Sequence, residues 1–90
     1  MVRINALGFD WDKGNRKKCL KHALDLLEIE AFFKQEGLYI TPDFMHSQKE
    51  TRYLAVGRSP KGPPMFAVFT LRKKDEELLI RPIGARSMRE

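Results

Sequence analysis

The chain of 90 residues has one cysteine, Cys19, which excludes an intramolecular disulfide and any cage built from cysteine ligands alone. No apolar run approaches the ~18 residues needed to span a bilayer, and the N-terminus lacks the apolar core of a secretory signal. A protein without membrane contact, in the reducing cytoplasm, is therefore expected. The sequence has no serine nucleophile elbow, no P-loop and no dinucleotide fingerprint. Its two histidines, His22 and His46, stand in neither an H-x-x-x-H nor an H-E-x-x-H spacing, so neither a metal nor another cofactor is expected. A large enzyme with its own cofactor domain is excluded by length.

What is abundant is positive charge. Seventeen Lys and Arg against twelve Asp and Glu give a net charge of +5 and a pI near 9.6. Lys13, Arg16, Lys17, Lys18 and Lys21 crowd a stretch that holds no acid until Asp25, and Arg81, Arg86 and Arg89 gather near the other end. Acids collect in Asp25–Glu36 and Asp75–Glu77. Such a distribution fits a polyanionic partner, because each Lys or Arg that meets a phosphate releases condensed counterions. The plainer reading is a pair of solvated basic faces. With 42% apolar residues the chain can still bury one modest core, so a single domain over residues 1–90 is expected.

Neither repeats nor linkers divide the sequence. Val2–Phe9 reads as a short strand with an irregularity near Gly8. Asp12 is a natural N-cap for a helix running from Lys13 to about His22. Asp25 and Glu28 have the spacing of a capping box, so a second helix begins at Asp25. Its apolar residues Leu26, Leu27, Ile29, Ala31, Phe32 and Phe33 are expected to pack inward, with Gly37 as its stop. The period then changes to two. Strands are expected at Leu38–Thr41, Thr51–Arg58, Met65–Leu71 and Glu77–Ile83. Met65–Leu71 is the most apolar and so the central one, and Pro82 marks an edge or a bulge. The result is an α+β fold, two N-terminal helices on one face of an antiparallel sheet of about four strands, with the other face open to a partner.

Several side chains could carry chemistry. His22, in the last turn of the first helix, feels a dipole that favours its charged form and lysines that oppose it, so it could titrate near neutrality as a general acid or base. It could equally be a capping histidine packed on Trp11. His46, in the polar loop Asp43–Lys49, is a candidate second proton carrier, and more ordinarily an exposed loop residue. Arg58, Arg72, Arg81 and Arg86 sit at or near strand ends, where their planar forks could converge on a phosphodiester and its developing charge. Parity sets a condition on that idea: Arg81 and Arg86 point to opposite faces unless Pro82 or Gly84 introduces a bulge. Cys19 reads as a buried, inert thiol.

The order of motifs resembles a known family. Phe9-x-Trp11-Asp12-x-x-Asn15 leading to His22, then Asp43-x-x-His46, Glu50-x-Arg52-Tyr53, Gly57-Arg58, Phe66-x-Val68-Phe69-Thr70 and Arg81-x-Ile83-x-Ala85-Arg86, is similar to the BrnT toxins along nearly the whole chain. Ala23 stands where relatives usually have glycine. The resemblance implies a RelE-like ribonuclease fold and the toxin of a type II toxin–antitoxin pair, masked by a BrnA-like antitoxin in a hetero-oligomer, or homodimeric. The expected reaction is cleavage of RNA without a metal, by attack of a 2′-hydroxyl on the adjacent phosphate. By matching positions, His22, Arg58, Arg81 and Arg86 are the expected catalytic residues. Lys17, Lys18 and Lys21, with Arg52 and Arg72, are the expected RNA-positioning ones. Two rivals keep the same charge: a nucleic-acid-binding module or inactive relative that binds an antitoxin-like protein, and a structural partner that binds only protein.

Overall fold

In a computed structural model the described residues are 6, 8–22, 24–43 and 49–88, without the side chain of His22. The order of elements is β1 (Gly8–Phe9), α1 (Lys13–Cys19), a 3₁₀ turn (Leu20–His22), α2 (Leu26–Phe33), β2 (Tyr39–Pro42), β3 (Tyr53–Arg58), β4 (Pro64–Lys74) and β5 (Glu77–Ser87). The strands form one sheet in the order β1-β5-β4-β3-β2.

Both helices start where their caps dictate. The Asp12 carboxylate accepts the Asn15 backbone N–H at 3.1 Å, and the Asn15 side chain accepts the Asp12 N–H at 2.7 Å, closing a reciprocal capping box. The first helix is shorter than its periodicity predicts, tightening into the 3₁₀ turn after Cys19. Arg16, Lys17 and Lys18 fill its last turn, where they complement the negative end of the dipole. The Asp25 carboxylate caps α2 by accepting the Glu28 N–H at 2.7 Å. Ile29 and Phe32 face the core. Leu27, expected inward, is instead 78% exposed: it lies two residues, about 200° of helix rotation, from Ile29. The helix also ends at Phe33 rather than near Gly37, whose φ of +85° serves the turn into β2.

β2 to β5 form an antiparallel meander with β4 at the centre of the whole sheet. The sheet has five strands rather than about four, and it is mixed, because β1 pairs in parallel with β5 through Gly8↔Leu79 and Phe9↔Ile80. The helices carry the chain from β1 at one edge of the sheet to β2 at the other, and the meander then returns it to β5 beside β1. Cross-strand register sorts the side chains. Ala55, Ala67 and Ala85 form one row, and Tyr53, Phe69 and Pro82 another, on the face covered by helices. Small residues in the first row admit Cys19, Ile29 and Phe32 of the helical layer, and all six are buried. Phe33 of α2 is the hinge of an aromatic cluster, 5.1 Å from Phe69, 5.5 Å from Phe32 and 6.0 Å from Phe9 between ring centroids. Gly57 is required here, since a Cβ would lie 2.6 Å from the buried Leu38 side chain.

The decisive irregularity is in β5. Val68 pairs with Gly84 and Phe69 with Pro82, so Ile83 is an extra residue, bulged out of the ladder. Pro82 lies beside the bulge, and β1, which pairs only with Leu79 and Ile80, stops short of it, so the Pro82 carbonyl is met by the Asn15 amide instead of a strand. The inserted residue resets parity. Arg81, opposite Thr70, and Arg86, opposite Phe66, consequently share the face away from the helices.

Candidate nucleic-acid interface

The same register places Arg58 (opposite Pro64), Arg72 (opposite Leu79) and Lys74 (opposite Glu77) on that open face. Between the cations run half-buried apolar side chains, Leu54, Val56, Phe66 and Val68. Four of the arginines singled out from sequence are therefore brought to one surface, but their electrostatic surroundings differ.

At one end, carboxylates neutralise the cations. Arg81 reaches Asp10 at 3.4 Å through Nη1 and Asp12 at 2.9 Å through Nη2. Lys74 Nζ takes the other oxygen of Asp10 at 3.0 Å. Two positive and two negative side chains thus cancel, and Arg81 itself is only 18% exposed. Arg72 pairs with Glu50 at 3.1 Å. The backbone N–H of Asn15 and the Arg81 guanidinium hold the Asp12 carboxyl below its ordinary value of 3.8.

Asp10 is the residue of this face that sequence reasoning missed. Its backbone N–H donates to the Ile80 carbonyl at 2.8 Å, extending the β1–β5 pairing and aiming the carboxylate at Arg81. Asn15 bolts the junction: its buried amide donates to the carbonyls of Asp10 at 2.9 Å and Pro82 at 2.8 Å. The available signal was the run Asp10-x-Asp12-x-x-Asn15, an acid directly after a strand and two residues before a helix cap.

At the other end the arginines meet no acid among the described residues. Arg58 donates to the Gly62 carbonyl at 2.9 Å in the turn that follows β3. Arg86 lies over the Phe66 ring, 5.6 Å from its centroid. Two strand spacings and one row separate the α-carbons of Arg58 and Arg86, roughly 12 Å.

The remaining candidates lie elsewhere. Lys17, Lys18 and Lys21 are exposed in the helical layer, not on the open face. His22 closes the 3₁₀ turn of that layer. His46 lies outside the described residues. Arg52 directly precedes β3, and its carbonyl accepts the Asp43 N–H at 2.7 Å. Trp11 donates its indole N–H to Glu30 at 2.8 Å, tying the approach to α1 onto α2. Cys19 has no exposed surface, and burial pushes its thiol up to about 11, as expected of an inert cysteine. Among the described residues no three His, Cys, Asp or Glu side chains are grouped so as to hold a metal ion, and no helix is long and apolar enough to cross a membrane.

A small α+β fold with arginines gathered on one face of its sheet has the features of a basic protein that meets polyanions. The family can be stated. A family model described as the ribonuclease toxin BrnT of type II toxin–antitoxin systems matches residues 11–90, and the chain belongs to that family. An RNA substrate and an antitoxin partner come with that membership. No curated protein and no solved structure matches the chain.

Proposed function

We propose that the open face of the sheet is where this toxin holds RNA, and that it cleaves the strand without a metal. The 2′-oxygen attacks the adjacent phosphorus and the P–O5′ bond breaks, leaving a 2′,3′-cyclic phosphate and a 5′-hydroxyl. One group takes the 2′-hydroxyl proton and another delivers a proton to the leaving 5′-oxygen; His22, in the turn that packs against β5, is the candidate for one of these roles, and His46 the second candidate. Arg58 and Arg86 hold the scissile phosphate and the charge that develops on it. Arg81, neutralised by Asp10 and Asp12, braces the same face. Arg52 lengthens the track for the strand, and Lys17, Lys18 and Lys21 extend it around the helical side without reading sequence, while Arg72, paired with Glu50, braces the face rather than holding phosphate. The observation that carries this reading is the Ile83 bulge, which turns Arg81 and Arg86 to the face already occupied by Arg58 and Arg72.

The mixed sheet with helices on one face supports the RelE-like assignment, and the cytoplasm is the compartment where such a toxin meets its target. Masking by a BrnA-like antitoxin follows from the same surface, since an acidic or amphipathic segment laid on the open face would cover the arginines. The toxin–antitoxin hetero-oligomer is then the resting form. The test is incubation with a defined RNA in EDTA, beside Arg58→Ala, Arg86→Ala and His22→Ala variants. Cyclic-phosphate ends that vanish with the variants support the reading. Intact RNA, both free and in the presence of translating ribosomes, overturns it in favour of a binding module.

A further inference from the structure

The middle of the open face is apolar and has a gap in it. One row across the sheet runs Tyr39, Val56, Phe66, Arg86, and the next runs Thr41, Leu54, Val68, Gly84. Tyr39 is 60% exposed at the β2 edge, an unusual position for a large aromatic ring with no core to fill. Phe66 is half-buried, with the Arg86 guanidinium over its ring. At Gly84 a Cβ would have no atom within 4 Å, and the backbone is outside the left-handed region, so neither packing nor conformation asks for glycine. The residue next to the bulge leaves the floor of this face open.

Resting on the reading of this face as the RNA surface, we infer that its centre takes unstacked bases, so that the toxin binds single-stranded RNA and excludes duplex. Phosphates reach Arg58 and Arg86, and the bases lie on Tyr39, beyond Arg58 at the β2 edge, and on the Phe66–Arg86 pair, with Gly84 leaving room for a ring. Aromatic faces stack on any base, whereas a duplex keeps its bases inside and presents a rigid backbone that a shallow, twisted sheet cannot follow. The chemistry recognised is a flexible strand with accessible bases, read by stacking and charge rather than by base edges.

The experiment measures binding of a short 2′-O-methyl RNA, which lacks the attacking hydroxyl, by fluorescence anisotropy over a range of salt, beside the duplex of the same sequence. The single strand should bind at least about 10-fold more tightly than the duplex, and Tyr39→Ala and Gly84→Val should each weaken it about 5- to 100-fold. Tyr39→Trp should restore the binding. None of these variants should change the salt dependence, because none removes a phosphate contact. Tyr39 and Gly84 are away from the core, so the outcome does not hinge on a Phe66 variant that could fold poorly. Equal affinity for strand and duplex, or unchanged affinity in both Tyr39→Ala and Gly84→Val, overturns the inference. If Arg58→Ala and Arg86→Ala still weaken binding in that event, the RNA face stands and only the base platform falls. If they leave it unchanged, both fall.

Discussion

The two ends of the open sheet face carry the same residue type in opposite electrostatic states. At the Asp10 end, Arg81 and Lys74 are matched by Asp10 and Asp12, and Arg72 by Glu50. At the bulge end, Arg58 is held only by a backbone carbonyl and Arg86 only by an aromatic ring, with no acid beside either among the described residues. A phosphate approaching the first end must displace a carboxylate that is already in place; at the second it meets an unopposed fork. Arginine count is therefore a poor guide to where an anion binds, and the surplus of charge over local acids is a better one. The first end reads as architecture, fixing β1, α1 and β5 to one another, and the second as the working surface.

This contrast can be broken from either side. The largest effect is expected at the bulge end: replacing Arg58 and Arg86 together with alanine should lower kcat/KM for RNA cleavage by about 10²-fold or more, in line with loss of preorganised donors to a phosphoryl transition state. Thermal unfolding of the same variant should hardly change, since neither arginine is part of a buried pair. Asp10→Ala should do the reverse. It takes one of two carboxylates from the mostly buried Arg81 guanidinium and leaves Lys74 without its acid, and urea unfolding should show a loss of about 1–3 kcal/mol. A variant with wild-type stability would show that the Asp10 cluster is not structural.

Acid sharpens the comparison further. The folded-state carboxyl of Asp12 is held below its ordinary 3.8, so its contribution to stability is fully present above that pH and is lost as pH falls through the lower folded value. Unfolding measured from neutral pH down to about pH 3 should therefore show a fall that Asp12→Ala reduces and Arg58→Ala leaves unchanged. The smallest effect belongs to the β4–β5 hairpin, near Lys74. Asp75 and Glu76 have φ of 50° and 69°, the left-handed pair of a two-residue turn, which a glutamate adopts at a cost. Glu76→Gly should raise stability by up to about 1 kcal/mol in a thermal melt and leave RNA cleavage as it was.

Much of the scaffold was legible because it is local. Both caps, at Asp12 and Asp25, follow from side chains three residues from the N–H groups they satisfy, and the apolar run around Met65–Leu71 marks the central strand. The parity condition on Arg81 and Arg86 was also readable, down to the need for a bulge beside Pro82 or Gly84. Whether the bulge forms is decided by pairing with β4, and sequence alone does not decide it. Long-range choices were hidden for the same reason. The parallel β1–β5 pair joins residues about seventy positions apart, and the clamp on Arg81 exists only once that pair is made. Leu27 misled because apolar content was read without its helical angle. For the proposed site, the arginines could be named from sequence, but their division into neutralised and unopposed could not, since Asp10 becomes a partner of Arg81 only in three dimensions.

The most direct test of that division is the slope of log affinity against log salt for a single-stranded RNA. Each phosphate contact on a single strand contributes about −0.7 to the slope, so Arg58→Ala/Arg86→Ala should flatten it by about 1.4. Arg72→Ala/Lys74→Ala should leave it nearly unchanged, because those cations are already paired with protein carboxylates. Equal flattening by the two double variants, or a larger one from Arg72→Ala/Lys74→Ala, would contradict the account.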